Sequence, residues 1–144
     1  MSTKTRDVGA ALKPVSPEAI NVAAVLGAVI HTHRASRSLS QQELAARAGL
    51  HAMTLSKIER GAQQDVGVVT LSRIATALST SGVEVRASEL LAEAERWQRE
   101  LKAEASRGEL TGPRKNRHAA FGELSGPAMC AAIVRIAGRT GNAQ

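Results

Sequence analysis

Few residues in this chain have the chemistry for catalysis. Cys130 is the single cysteine, and the histidines are His31, His33, His51 and His118. One cysteine permits neither an intramolecular disulfide nor a cysteine-based zinc cluster. A catalytic thiol needs a positioned base, and only His118 stands near, across a Gly/Pro linker, so Cys130 reads as a small buried apolar residue. His31 and His33 are two apart, which on a helix points them to different faces and away from a shared metal. Ser125 as a nucleophile lacks a following Lys, since none occurs after Lys115. No acid–base pair or nucleophile has a coherent setting, so the expectation is no enzyme, no metal and no cofactor.

The polar residues that do have a coherent setting run from Ser40 to Gly61, SQQELAARAGLHAMTLSKIERG. Ser40 with Glu43 three residues on is a capping box. Leu44, Ala45 and Ala48 give that helix one apolar face. Gly49 ends it, because glycine takes the left-handed cap conformation without steric cost. A second helix spans roughly His51 to Arg60 and turns Leu55 and Ile58 inward. Two short helices joined through a Gly turn make the helix-turn-helix pattern. Small Ala45 lets the two approach, and Leu44, Leu50, Leu55 and Ile58 lock the second onto the rest of the domain. Its other face is then free to enter a DNA major groove, which is wide enough for one helix. Met53 lies two positions before Leu55, on a different face, and is expected to be exposed.

The stretch resembles the Xre/Cro/CI family of helix-turn-helix repressors. The matching pieces are Leu26-Gly27 with Ile30 and Arg34, then Leu39-Ser40-Gln41-x-Glu43-Leu44-Ala45 and Ala48-Gly49-Leu50. Thr54-x-Ser56-Lys57-Ile58-Glu59-Arg60-Gly61 follows without a gap, and Leu71, Ile74, Ala75 and Leu78 complete the match. The resemblance covers about Leu26 to Leu78, with a looser extension to Leu91. It implies a five-helix, all-α, lambda-repressor-like DNA-binding bundle, here with a C-terminal helical extension. It also implies roles. Ser40 and Gln41, with Gln42, match positions at the start of the second helix that hold a phosphate or a base edge. His51, Ala52, Met53, Ser56 and Lys57 match the start and outward positions of the recognition helix. Lys57 would bond guanine or a phosphate, Ser56 would donate or accept, and Ala52 and Met53 would touch thymine methyls. Thr54 and Arg60 would hold phosphates and fix register. The sequence departs from the family at three places. His51 replaces a Ser or Thr cap, His33 replaces an apolar residue, and the loop Ala62 to Val68 lacks the usual Lys/Arg-x-Pro pattern.

Composition agrees with a helical bundle. The 144 residues are 43% hydrophobic, with two aromatics, Trp97 and Phe121, so the core must be built from Ala, Val, Leu and Ile. The formal net charge is +6 and the pI near 10.4, which suits a polyanionic partner. No apolar run reaches the roughly 18–20 residues that cross a bilayer, so no membrane partner is expected. The first residues lack the apolar core of an export signal, so the expected compartment is the cytoplasm.

The sequence divides into a flexible basic arm (1–14), the helix-turn-helix domain (15–87), a long amphipathic helix (88–107) and a basic linker with a short apolar helix (108–144). In the second segment Ser16-Pro17-Glu18 reads as the start of a first helix running to Arg34 or Ser36. A fourth helix begins at Val69 or Thr70. Ser88 reads as the cap of the long helix, whose Leu90, Ala94, Trp97 and Leu101 form a stripe that packs back or pairs two chains. Pairing is favoured. A homodimer would set two recognition helices about 34 Å apart over a two-fold operator. Arg114, Lys115 and Arg117 are basic enough for an accessory DNA contact, and residues 106–144 carry a net charge of +4.

Three functions follow. The first is a sequence-specific transcriptional repressor, such as a phage immunity repressor, that occludes a double-stranded DNA operator. The second is an antitoxin that binds its own operator and a toxin through its C-terminal extension. The third is an adaptor that keeps the fold without binding DNA. The short length leaves no room for a sensor domain, so no small-molecule effector is expected.

Overall fold

The computed structural model describes residues 12–114, 118 and 121–142, the last three without side-chain detail. Six α-helices are present among the described residues: α1 (Val22–Ser36), α2 (Gln41–Ala48), α3 (Ala52–Glu59), α4 (Val68–Leu78), α5 (Ala87–Ser106) and α6 (Gly126–Asn142). Two three-residue strands, β1 (Leu12–Pro14) and β2 (Thr111–Pro113), pair antiparallel with Lys13 opposite Gly112. The middle of the chain follows its local signals. Ser40 Oγ accepts the Glu43 amide at 3.1 Å and the Glu43 carboxylate accepts the Ser40 amide at 2.7 Å, closing the capping box. Gly49 adopts φ +69°, so the left-handed stop is real and any side chain there would be strained.

The first helix starts later than its sequence suggests. Pro17–Ala19 make one tight 3₁₀ turn, the chain extends through Ile20 and Asn21, and α1 begins at Val22. Asn21 is the cap, its Oδ1 accepting the Ala24 amide at 2.8 Å, while the Ser16 hydroxyl donates instead to the Glu18 carboxylate. The break lets Ile20 turn into the core, where it is almost fully buried. The long helix begins at Ala87, where the sequence places it, but its N-cap is Arg86 and not Ser88.

The largest departures lie at the two ends. Leu12–Pro14, expected within a flexible arm, form a strand; residues 1–11 of that arm lie outside the described residues. The short apolar helix expected over Ala128–Ala137 runs from Gly126 to Asn142. It is part of the core, because Met129, Ala132, Ile133 and Ile136 are buried and join one cluster with Val25, Ile30, Leu90 and Leu101. The chain is tied together there by backbone bonds from Val15 to Leu110, Gly122 to Pro14 and Glu123 to Pro113, each 2.9 Å. Glu104 of α5 is 2% exposed and receives Arg135 at 2.8 Å and also Arg139, both from α6.

The stripe on α5 is consumed by this packing. Leu90, Ala94, Trp97 and Leu101 are all buried within the single chain, against α1 and its neighbours. The homodimer expected through these four residues is therefore corrected: the stripe has no free surface to offer a second copy. An amphipathic pattern shows that a face is covered and does not show by what.

Candidate nucleic-acid interface

α3 is held from behind and open in front. Leu55 and Ile58 are fully buried and Glu59 is 3% exposed, and the three share one face at helical spacing. α1 passes close behind: a Cβ on Gly27 would lie 2.1 Å from the Ile58 carbonyl oxygen, so only glycine allows this approach. α2 is pinned alongside by Leu44, Ala45 and Ala48, all buried.

A buried carboxylate completes the clamp. Arg34 of α1 donates from Nε to Glu59 Oε2 at 2.8 Å and from Nη2 to Oε1 at 2.9 Å. Gln41 of α2 adds Nε2 to Oε1 at 3.1 Å, and His31 Nδ1 stands 3.1 Å from the same oxygen. Arg34 also donates to the Leu39 carbonyl at 2.7 Å, fixing the turn that leads into α2. Burial by itself pushes the Glu59 carboxyl up, but hydrogen bonds from Arg34, Gln41 and His31 outweigh it and hold the group below the usual carboxylate range. The bond to Glu59 in turn raises Arg34 above its ordinary value. Glu59 thus ties α1, α2 and α3 into one rigid unit.

The sequence pattern names Arg34 and Glu59 without pairing them. The signal was present: Leu55, Ile58 and Glu59 occupy positions i, i+3 and i+4, so the acid sits on the inward stripe and a buried charge requires a partner.

The outward side carries the residues expected to meet DNA. Met53 is 69% exposed at the middle of that face. Lys57 and Arg60 are exposed, and Arg60 Nε donates back to the Ser56 carbonyl at 3.3 Å. Ala52, Thr54 and Ser56 are half-buried, with Ala52 against the core. His51 is exposed at the N-cap of α3, where its side chain makes no capping bond. Gln42 and Ser40 are exposed at the start of α2, and Ser40 Oγ, busy as an acceptor, keeps its own O–H for donation outward. Gln41 is partly committed, because one of its N–H groups points to Glu59. Residues 30–85 match the family model of the helix-turn-helix. The chain carries a helix-turn-helix domain of the DNA-binding, regulatory kind.

Comparison with curated proteins gives no match. The helix-turn-helix match ends at Val85, so α5, α6 and the paired strands lie outside it. Arg114 is described and half-buried at the end of β2, whereas Lys115 and Arg117 lie outside the described residues. No helix among the described residues is long and apolar enough to cross a membrane. Those residues also bring together no metal-binding group of three His, Cys, Asp or Glu side chains. Cys130 is half-buried, and burial raises its thiol pKa, which disfavours the nucleophilic thiolate.

Proposed function

We propose that this protein is a sequence-specific, double-stranded DNA-binding transcriptional repressor that occludes its operator. The observation that carries this reading is the two-sided state of α3. One side is locked by Leu55, Ile58 and Glu59, and the other offers Met53 and Lys57 to solvent. A helix so fixed can enter a major groove without losing further conformational freedom. Lys57 and Ser56 read base edges, Met53 and Ala52 take thymine methyls, and Ser40, Gln41, Gln42, Thr54 and Arg60 seat the phosphates around them. His51, at the helix start, faces the same groove.

The test is Lys57→Ala. Affinity for the selected site should fall by about 1–3 kcal/mol while affinity for unrelated duplexes stays nearly the same. An unchanged affinity for the selected site would contradict the assignment of Lys57 as a base reader.

A further inference from the structure

Three side chains from two helices converge on one oxygen of the clamp. Glu59 Oε1 receives Arg34 Nη2 at 2.9 Å and Gln41 Nε2 at 3.1 Å, and His31 Nδ1 stands 3.1 Å away. His31 Nδ1 is also 3.1 Å from Arg34 Nη2. It is therefore equidistant from an acceptor and a donor. A ring nitrogen has one in-plane position, filled by a lone pair or by a proton. The proton decides which of the two neighbours Nδ1 bonds. The donors of Arg34 fix the neutral arrangement. Arg34 uses Nε on Glu59 Oε2, Nη1 on the Leu39 carbonyl and one Nη2 hydrogen on Glu59 Oε1. The bare Nδ1 of neutral His31 accepts the second Nη2 hydrogen, and the ring proton sits on Nε2. Arg34 and Gln41 then fill both lone pairs of Oε1.

Protonation reverses this. The His31 side chain is 43% exposed, so water can deliver the proton. Nδ1–H can only donate, and Glu59 Oε1 is the acceptor within reach. A third donor at an oxygen with two lone pairs displaces the weakest. That is Gln41, the one donor of the three without a charge. We propose that His31 is a positioning residue for the DNA interface: neutral, it leaves Gln41 anchored to Glu59; protonated, it takes that anchor and frees Gln41. Gln41 opens α2 directly after the Ser40 cap, so its release loosens a side chain that seats the DNA. The other ionisable groups on the neighbouring helices are engaged or neutral. His33 and Glu93 of α5 bond each other, and Arg135 and Arg139 of α6 bond Glu104. Burial raises the Cys130 thiol of α6, which keeps it uncharged. The effect on DNA rests on the proposed reading of the operator; the exchange at Glu59 does not.

Nuclear magnetic resonance of the full chain without DNA tests the exchange. The Gln41 side-chain amide signals should move with the same midpoint as the His31 ring, between about pH 5 and 8. They should stay fixed in His31→Asn, which keeps a donor and an acceptor but does not titrate. Circular dichroism checks that each variant is folded. DNA binding is then measured at both ends of that range for wild type and Gln41→Ala. Acidification should lower wild-type affinity about fivefold relative to its effect on Gln41→Ala, the worth of one hydrogen bond. The charges of the other histidines, His51 included, act on both chains alike and cancel. Gln41 signals that ignore the His31 titration overturn the inference. So do signals that move as far in His31→Asn, or an equal pH dependence of DNA binding in wild type and Gln41→Ala. A chain that binds no DNA at either pH would defeat the operator reading and leave the amide titration to decide the exchange.

Discussion

α2 starts and stops on signals carried by its immediate neighbours in the chain, whereas α6 is held by residues far away in the chain. Ser40 and Glu43 cap each other across three positions, and Gly49 stops the helix they begin. α6 depends instead on Glu104, 31 positions before Arg135, and on Ala28, 102 positions before Cys130. Each region contains one buried carboxylate, and the two are built differently. Glu59 is bound by side chains from α1 and α2, and its main partner Arg34 is itself largely buried, at 12% exposure. Glu104 is bound by Arg135 and Arg139 of a single helix, which are 46% and 56% exposed. A cation that can return to water loses less when its partner is removed. The reading region is therefore expected to fail more sharply than the C-terminal one.

The strongest test of this contrast is Glu59→Ala. It strands a buried guanidinium and should cost about 3–5 kcal/mol in urea unfolding, with DNA binding lost alongside. A loss below about 1 kcal/mol, within the range of exposed pairs, would mean that the clamp contributes no more than a surface contact. The same residue sets an acid limit. Its folded carboxyl titrates below the unfolded one, so its contribution is complete above the ordinary carboxylate range, near pH 4, and disappears as pH falls through the lower folded value. Acid unfolding of Glu59→Gln should lose that part of the slope and keep the part from Glu18, Glu43 and Glu93, which are also held low.

Glu104→Gln should cost less, about 1.5–3 kcal/mol, and should loosen α6 before the rest. Hydrogen exchange would show faster opening over Met129–Ile136 with α2 and α3 unchanged; opening of the whole chain at one rate would erase the distinction between the regions. Ser40→Ala is the mildest, with about 1 kcal/mol expected from loss of the cap, and its effect should stay local to α2.

How much of this was legible in the sequence follows from the same contrast. The capping box, Gly49, the inward Leu55 and Ile58 and the outward Met53 are all decided within a few residues of each other. The start of α1 was missed because two cap candidates, Ser16 and Asn21, compete locally and the burial of Ile20 decides between them. The α5 stripe announced a covered face, but its cover includes α1 from the opposite end of the chain. Met129, Ile133 and Ile136 show helical spacing, yet nothing near them states that Glu104 waits 31 positions before Arg135. Glu59 was visible as an acid on an inward stripe, and only the fold shows that Arg34, Gln41 and His31 converge on it.

The central claim is that the outward face of α3 reads a DNA sequence. Selection of bound duplexes from a random pool with the full chain tests it most directly. Enrichment of a defined sequence, lost or altered when Met53 and Lys57 are replaced by Ala, is the predicted result. Retention of duplexes with no enriched sequence, or enrichment untouched by those replacements, would contradict it.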